Sequence, residues 1–199
     1  MAIIVDKVQK RKDIALACKD IFVQKGIKDL SVSQIAKAAK IGKGTIYDYF
    51  CNKEDIVFEI VNILMKKYKK SLTKKIESAT STREKIKQFS SIFYDEDDFE
   101  LRAIYKEFIS ISLSSPNKEM MEFQSSYAKD YYEWFVEILS DGVKSGEIKE
   151  GSEDFARGLF VLAKGMFISS SSTNTIEDVK SEIHKFTDAL FDILEKKNG

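Results

Sequence analysis

Hydrophobic positions recur every three or four residues along most of the chain, a spacing that predicts amphipathic helices rather than strands. The first apolar stripe predicts a helix over residues 7–25, and Gly26 marks its end. From residue 82 onward the same spacing predicts five more helices. These later helices cover residues 82–94, 97–114, 117–141, 152–171 and 175–197. The chain is therefore predicted to be all-α.

Residues 31–55 show a different pattern, with two short apolar stripes joined by a tight turn. Ser31 and Gln34 have the spacing of a capping box, in which each side chain satisfies a backbone N–H at a helix start. The segment 42–48 has little to bury beyond Ile46, and it carries a cation, hydroxyls and aromatic rings instead. So short a helix is unstable alone, so it must pack on its neighbours. The pattern is typical of a helix-turn-helix, whose second helix enters the major groove of DNA.

A fourth, longer helix is predicted to begin after Asn52 and to run to about residue 76. Asn52 can cap it, and Glu54 and Asp55 lie in its first turn, where the helix dipole favours acids.

Three ordered motifs in this part of the chain resemble the signature of the TetR (tetracycline-repressor-like) family of transcriptional regulators. Two positions depart from that pattern. Lys40 occupies the turn position where the family usually has Gly, and Gly42 stands where Ser or Ala is common. A non-Gly residue at positive φ costs about 1 kcal/mol, so Lys40 is expected to strain the turn. The motifs are Ile35-Ala36-x-x-Ala39, then Gly44-Thr45-Ile46-Tyr47-x-Tyr49-Phe50, then Asn52-Lys53-Glu54-Asp55.

The resemblance implies an all-α protein in two parts. Residues 1–51 would form a three-helix, helix-turn-helix DNA-binding domain, and residues 52–199 a larger ligand-binding and dimerisation domain. The implied function is transcriptional repression at a palindromic operator in double-stranded DNA, relieved by a small-molecule effector. A dimer is expected because one short recognition helix contacts only a few base pairs, whereas two helices about 34–36 Å apart contact successive major grooves.

The resemblance also implies which residues contact DNA. Ser33 and Gln34 lie on the first helix of the motif, beside the groove. Tyr49 and Lys53 match positions that hold the DNA backbone. The recognition-helix positions that approach bases and nearby phosphates are Lys43, Gly44, Thr45 and Tyr47.

Formal charges cancel over the whole chain but not along it. Residues 1–76 carry 17 Lys and Arg against 8 Asp and Glu, whereas residues 77–199 carry 15 against 24. This asymmetry predicts a polyanionic partner for the basic front. A basic but merely solvated surface is the alternative, which the adjacent helix-turn-helix disfavours. The same choice, phosphate contact or solvation, applies to the cluster Lys7, Lys10, Arg11 and Lys12 at the start of the first helix.

Aromatic residues are dense between positions 89 and 135 and admit two interpretations. Rings at helical spacing ordinarily form a core. They can also line a pocket for a mainly apolar effector, whose few polar groups are oriented by tyrosine hydroxyls. The family resemblance favours the pocket. The predicted lining is Phe93, Tyr105, Phe108, Tyr127 and Tyr131.

The last two predicted helices present a similar choice. Their apolar stripes either pack within the chain or pair with a second copy in a four-helix interface. The expectation of a homodimer favours the second interpretation. The predicted interface residues are Phe155, Leu159, Leu162, Met166, Phe186, Leu190 and Leu194.

The sequence offers little for catalysis or metal binding. The single histidine, His184, lies inside the final amphipathic helix, and with Cys18 and Cys51 it cannot complete a four-ligand zinc site without scattered carboxylates. A glycine-rich phosphate loop and a Gly-x-Ser-x-Gly elbow are both absent from the sequence. We therefore expect no enzyme activity, no metal and no cofactor. Whether Cys18 or Cys51 senses redox state stays open.

Composition predicts a soluble, cytoplasmic protein without a membrane partner. Hydrophobic residues make up 43% of the chain and charged residues 32%. The N-terminus lacks the pattern of a signal peptide, and the one proline, Pro116, lies between two predicted helices. Two other functions stay possible. A sequence-tolerant DNA-packaging protein would share the basic front without using an aromatic pocket, and a small helical enzyme would carry the motif incidentally.

Overall fold

The computed structural model describes residues 6–114 and 118–196, and over these ranges it confirms the predicted all-α architecture. Three short 3-10 turns, Ser91–Phe93, Glu96–Asp98 and Ser152–Phe155, accompany the α-helices. Pro116 and the end of the last predicted helix, at residue 197, lie outside the described residues. The helices are α1 (Lys7–Lys25), α2 (Val32–Ala38), α3 (Lys43–Tyr49), α4 (Lys53–Ser78), α5 (Thr82–Phe89), α6 (Phe99–Ser114), α7 (Lys118–Lys144), α8 (Ala156–Ser172) and α9 (Val179–Leu194).

The contacts divide the chain into two compact units. As far as these ranges are described, the first unit comprises Met1–Lys67 and Phe99–Met121, and the second comprises Tyr68–Asp98 and Glu122–Gly199. The long helices α4 and α7 contribute residues to both units. The predicted boundary after residue 51 divides a DNA-binding domain from a ligand-binding and dimerisation domain. This division by function stays a prediction.

The first unit is built around the packing of α1, α2 and α3 on one another, with α6 against α1. Asp6 caps α1, since its carboxylate accepts from the backbone N–H groups of Val8 and Gln9. The Glu107 carboxylate of α6 accepts from the Ile27 backbone N–H at 2.9 Å, just beyond the end of α1. The apolar core of these helices includes Ile14, Ala15, Cys18, Phe22, Ile35, Ala36, Ile46, Ile104 and Phe108.

The second unit packs α9 against both α5 and α8. Arg83 of α5 joins α5 to the end of α9, because its Nε lies 2.8 Å from Glu195 Oε1 and its Nη2 lies 2.8 Å from Asp192 Oδ1. Asp178 caps α9 by accepting from the Ser181 backbone N–H at 2.9 Å. None of the helices described in either unit is both long enough and apolar enough to cross a membrane.

The helix predicted over residues 82–94 is interrupted, which corrects the sequence-based prediction. α5 ends at Phe89, and the chain continues through the 3-10 turns at Ser91–Phe93 and Glu96–Asp98. The physical reason is a tertiary hydrogen bond. The Ile92 backbone N–H donates to the Tyr68 hydroxyl at 3.2 Å and is therefore not available for a helical i→i−4 bond.

The predicted end of α7 at residue 141 is also wrong, because the helix continues to Lys144. Gly142 is needed for packing instead, since a Cβ built there would lie 2.4 Å from Thr82 Oγ1. Thr82 is held in place by Glu147, whose carboxylate accepts from the Thr82 backbone N–H at 2.6 Å and from its hydroxyl at 2.7 Å.

Candidate nucleic-acid interface and ligand region

The start of α2 and the turn that follows this helix are built by local interactions that the sequence predicted. Ser31 Oγ accepts from the Gln34 backbone N–H at 3.3 Å, while Gln34 Oε1 accepts from the Ser31 backbone N–H at 2.8 Å. The predicted capping box is thereby confirmed. Lys40 adopts φ +56°, the left-handed conformation expected at this turn. Gly42 then leads into α3 from an extended conformation, without a side-chain cap.

α3 presents most of its side chains to solvent. Ile46 is the residue that it buries, whereas the side chain of Tyr47 is 53% exposed. Thr45 and Tyr49 are half-buried. Four further predicted DNA contacts are exposed, namely Ser33 and Gln34 on α2, and Lys43 and Gly44 on α3.

Lys53, predicted to hold the DNA backbone, makes close contacts within the chain. Its ammonium donates to the carbonyl oxygen of Ile27 at 2.7 Å, of Leu30 at 3.2 Å and of Lys28 at 3.3 Å. An ammonium has three N–H donors, so this arrangement uses all of them. In this conformation Lys53 fixes the segment between α1 and α2 to the start of α4.

Arg11, which the sequence analysis left between phosphate contact and solvation, is a positioning residue within the chain. Its Nη1 donates to the Tyr49 carbonyl at the end of α3, and its Nε lies 3.0 Å from Glu59 Oε2 on α4. Its guanidinium also lies 4.2 Å from the centroid of the Phe50 ring. Arg11 thus holds the end of α3 against α1 and α4. No sequence pattern signals this role, since it depends on residues 38 and 48 positions away.

The two cysteines occupy contrasting environments. Cys18 is fully buried in α1, and burial raises the pKa of its thiol to about 11, so the unreactive protonated form predominates. Cys51 is exposed between α3 and α4, where its backbone N–H donates to Asp55 at 2.9 Å. Only Cys51 is placed where a solution oxidant can reach it.

The five predicted effector contacts fall into two groups. Tyr105 and Phe108 belong to the first unit, where their rings stack with centroids 6.2 Å apart. Phe93, Tyr127 and Tyr131 belong to the second unit. There the Tyr127 and Tyr131 centroids lie 6.3 Å apart, and Phe93 pairs with Phe167 at 5.3 Å. That all five line one pocket stays a prediction.

Phe89 lies at the centre of the aromatic cluster of the second unit, which the sequence analysis did not single out. Its ring centroid lies 5.2 Å from that of Phe135, 5.3 Å from Trp134 and 5.9 Å from Tyr131. The spacing of Tyr131, Trp134 and Phe135 on α7 indicates a shared helical face, but only the fold brings α5 to it.

The residues predicted for a dimer interface differ in exposure. Leu159 and Leu194 are buried within the chain itself, whereas Phe155 and Phe186 are exposed and Leu162, Met166 and Leu190 are half-buried. Three further apolar residues are more accessible than most of these: Val161 at 50%, Ile168 at 38% and Ile193 at 66% exposed. The described parts of α8 and α9 therefore present an apolar outer surface, and the interface itself stays a prediction.

His184 packs against Tyr94. Its Nε2 lies 3.0 Å from the Tyr94 hydroxyl, and the Tyr94 ring meets it edge-on at 5.4 Å. Burial lowers the pKa of the imidazole, and the ammonium groups of Lys87 and Lys180 lower it further. Over residues 6–114 and 118–196, the structure contains no group of three or more His, Cys, Asp or Glu side chains that could hold a metal ion.

Comparisons with known proteins agree with this geometry. The family model for bacterial regulatory proteins of the tetR family matches residues 14–60, which include the turn and α3. A fatty acid metabolism regulator protein of Bacillus subtilis is 28% identical over 193 residues, covering 94% of this chain and 95% of that protein.

Solved structures share the whole fold. A TetR-family transcriptional regulator from Cytophaga hutchinsonii superposes with a TM-score of 0.79 at 18% identity, covering 98% of this chain and 99% of that one. The transcriptional regulator FadR from Bacillus subtilis, in complex with stearoyl-CoA, superposes with a TM-score of 0.66 at 24% identity, covering 94% and 98%.

Proposed function

We propose that this chain, a DNA-binding regulator of the TetR family of bacterial transcriptional regulators, acts as a repressor. In this proposal a homodimer binds a palindromic operator, and a small, mainly apolar effector releases it. Residues 1–51 form the DNA-binding domain and residues 52–199 the ligand-binding and dimerisation domain. Since its target is DNA, the regulator acts in the cytoplasm.

The exposed side of α3 is the observation that supports the DNA interface. A seven-residue helix that buries only Ile46 gains little from its own packing, and its accessible side carries Lys43, Gly44 and Tyr47. A cation and a ring on a groove-sized helix suit contact with base edges and phosphates. Thr45, Ser33 and Gln34 complete the proposed contact surface, with Tyr49 toward the DNA backbone.

Binding of the Lys43→Ala variant to operator and scrambled duplexes across a salt series tests this interface. If Lys43 donates to a guanine edge, the variant loses about 1–3 kcal/mol on the operator and discriminates less well at one position of each half-site. Lys144→Ala, which removes an equal charge outside the proposed DNA-binding domain, controls for net charge. An unchanged ratio of operator to scrambled affinity would show that Lys43 contacts phosphate only.

The homodimer is supported by the apolar outer surface of α8 and α9. Val161 and Ile168 recur along α8 at helical spacing with Gly158 and Gly165, and Ile193 lies on α9. Apart from its own turn of helix, a Cβ built at either glycine meets no atom of the described residues within 4 Å. A helical glycine costs about 1 kcal/mol relative to alanine, so two of them on an exposed apolar face suit close approach of another helix.

The effector proposal rests on the aromatic cluster of the second unit and on the relatives. Phe93, Tyr127 and Tyr131 lie in that unit among further rings, an environment that suits an apolar ligand. The Bacillus subtilis FadR structure contains stearoyl-CoA, a molecule with a long apolar chain. An effector that binds only a form with a different spacing of recognition helices lowers DNA affinity by its differential affinity for the two forms.

A further inference from the structure

Tyr131 carries a buried hydroxyl for which the described residues provide no hydrogen-bond partner. The residue is 8% exposed. Buried polar groups are nearly always paired, because an unpaired one loses its hydration without compensation. Tyr68 provides the contrast: it is also buried, but its hydroxyl accepts from the Ile92 backbone N–H at 3.2 Å and lies 3.4 Å from Ser91 Oγ.

The Tyr131 hydroxyl lacks an acceptor rather than a donor. Burial raises the pKa of Tyr131 well above its ordinary value, and the neighbouring Tyr68, Tyr127 and Asp130 raise it further. The group therefore stays protonated at physiological pH. A neutral phenol retains one O–H to donate, and no described atom of the chain receives it.

The surroundings of this hydroxyl are aromatic. Ring centroids of Phe89, Trp134 and Tyr127 lie 5.9, 6.2 and 6.3 Å from that of Tyr131. Apolar walls with a small number of placed polar groups are the usual composition of a small-molecule site.

A groove in the second unit, open to solvent, lies next to two neighbours of Tyr131. Lys69 and Trp134 line it, with Lys69 Nζ 6.0 Å and the Trp134 ring centroid 6.2 Å from the Tyr131 ring centroid, whereas Tyr131 itself does not line it. The groove has a volume of about 690 Å³. The rest of its lining is Thr73, Asp130, Glu133 and Glu137.

The groove lining carries the three carboxylates of Asp130, Glu133 and Glu137 against the single ammonium of Lys69, so it repels an anion and attracts a cation. A quaternary ammonium, however, has no lone pair with which to accept the Tyr131 O–H. An uncharged acceptor oxygen, as in an ester, ketone or amide, avoids the repulsion of an anion and satisfies the hydroxyl.

We propose that Tyr131 orients the effector by donating its hydroxyl proton in a hydrogen bond to an uncharged acceptor oxygen on an otherwise apolar molecule, which enters between Lys69 and Trp134. This inference rests on the proposed function, since it assumes an effector in the second unit. It makes Tyr131 a determinant of effector specificity and excludes fully apolar and charged ligands as preferred effectors.

Three probes of equal chain length test the proposed chemistry: methyl octanoate, octanoate and octyltrimethylammonium. Isothermal titration calorimetry on the full chain is expected to show the tightest binding for methyl octanoate. Tyr131→Phe is expected to weaken methyl octanoate binding about fivefold to tenfold, as loss of one hydrogen bond predicts, and to leave octyltrimethylammonium binding unchanged. A preference for either charged probe, no binding of methyl octanoate, or equal binding by the variant would overturn the proposal.

Thermal unfolding without ligand provides a second, independent measurement. Tyr131→Phe removes an unpaired hydroxyl and is expected to keep or raise the unfolding midpoint. Tyr68→Phe, the matched control, leaves the Ile92 N–H without its acceptor and is expected to lower it. A drop of equal size in both variants would show that the Tyr131 hydroxyl is already paired, which contradicts the proposal. Failure of the proposed function would give a different result: the wild-type chain would bind operator and scrambled DNA equally well.

Discussion

Three lysines of the helix-turn-helix region have the same charge and different roles. Lys43 projects from α3 into solvent, Lys40 adopts a left-handed backbone conformation in the turn, and Lys53 donates to three backbone carbonyls. The local pattern predicted the first two placements, because exposure and turn conformation follow from neighbouring residues. It could not predict the third, since Lys53 meets carbonyls 23 to 26 residues earlier in the chain.

Lys40→Gly is expected to stabilise the protein by about 0.5–1 kcal/mol. The left-handed conformation costs a residue with a side chain about 1–2 kcal/mol, and glycine removes this cost. Glycine also makes the unfolded chain more flexible, which offsets part of the stabilisation. Urea unfolding measures the difference. Lys40→Ala is the control, because it removes the same charge but keeps the Cβ. Equal stability of the two variants would mean that the turn is not strained.

Lys53→Met is expected to lower the free energy of unfolding by about 1–3 kcal/mol, because it removes the ammonium that donates to the carbonyls of Ile27, Lys28 and Leu30. Lys43→Met, an equal change at an exposed site, is expected to shift it by less than about 0.5 kcal/mol. Urea unfolding of both variants gives the comparison. If both are neutral, Lys53 is free to hold the DNA backbone, as the family resemblance implies.

At the scale of elements, tertiary contacts determine where helices end and what holds them. The bounds of α1 agree with the prediction, because its cap at Asp6 and its stop at Gly26 are local signals. α5 stops early because Tyr68, from α4, takes the Ile92 N–H. α7 runs through Gly142, where the Thr82 side chain occupies the space that a Cβ would need. Sequence periodicity carries no information about either contact. Periodicity could not predict the aromatic cluster around Phe89 either, since its rings come from different helices.

His184 on α9 is expected to make the second unit sensitive to mild acid. The folded chain lowers the pKa of its imidazole through burial and the nearby Lys87 and Lys180, against the opposing effects of Asp188 and Glu84. The unfolded chain therefore takes up the proton first, at its ordinary pKa of about 6.5. Stability contributed by neutral His184 is complete above about pH 6.5 and is lost as pH falls toward the folded pKa.

The measurement is the unfolding midpoint of wild type and His184→Gln at about pH 7.5 and 5.5. Wild type is expected to lose more stability than the variant over this interval. Asp188, whose carboxylate pKa is lowered mainly by its hydrogen bond to Lys87, titrates below this window and does not interfere. Parallel pH profiles for the two proteins would contradict the assignment to His184.

At the scale of the whole molecule, the exposed apolar surface of α8 and α9 supports the proposed homodimer. Val161→Glu and Gly165→Leu are each expected to yield monomers in analytical sedimentation. The first places an unpaired charge in the proposed interface, at a cost of several kcal/mol. The second fills the space for close helix approach, yet it raises helix propensity by about 1 kcal/mol, so α8 is expected to stay helical.

Leu113→Glu supplies the control for these variants. Leu113 is 78% exposed on α6, in the first unit, so the same kind of charge is introduced at an apolar site outside α8 and α9. This variant is expected to remain dimeric. A Val161→Glu protein that stays dimeric would place the interface elsewhere.

Trp134 gives this chain a spectroscopic consequence, because it is the one tryptophan in the sequence and lies in the aromatic cluster beside Phe89 and Tyr131. Fluorescence excited at the indole band therefore reports on the second unit alone, while far-ultraviolet circular dichroism reports on helices of both units. Coincident melting curves from the two signals would identify one cooperative transition. Separated curves would resolve the stabilities of the two units without dividing the chain.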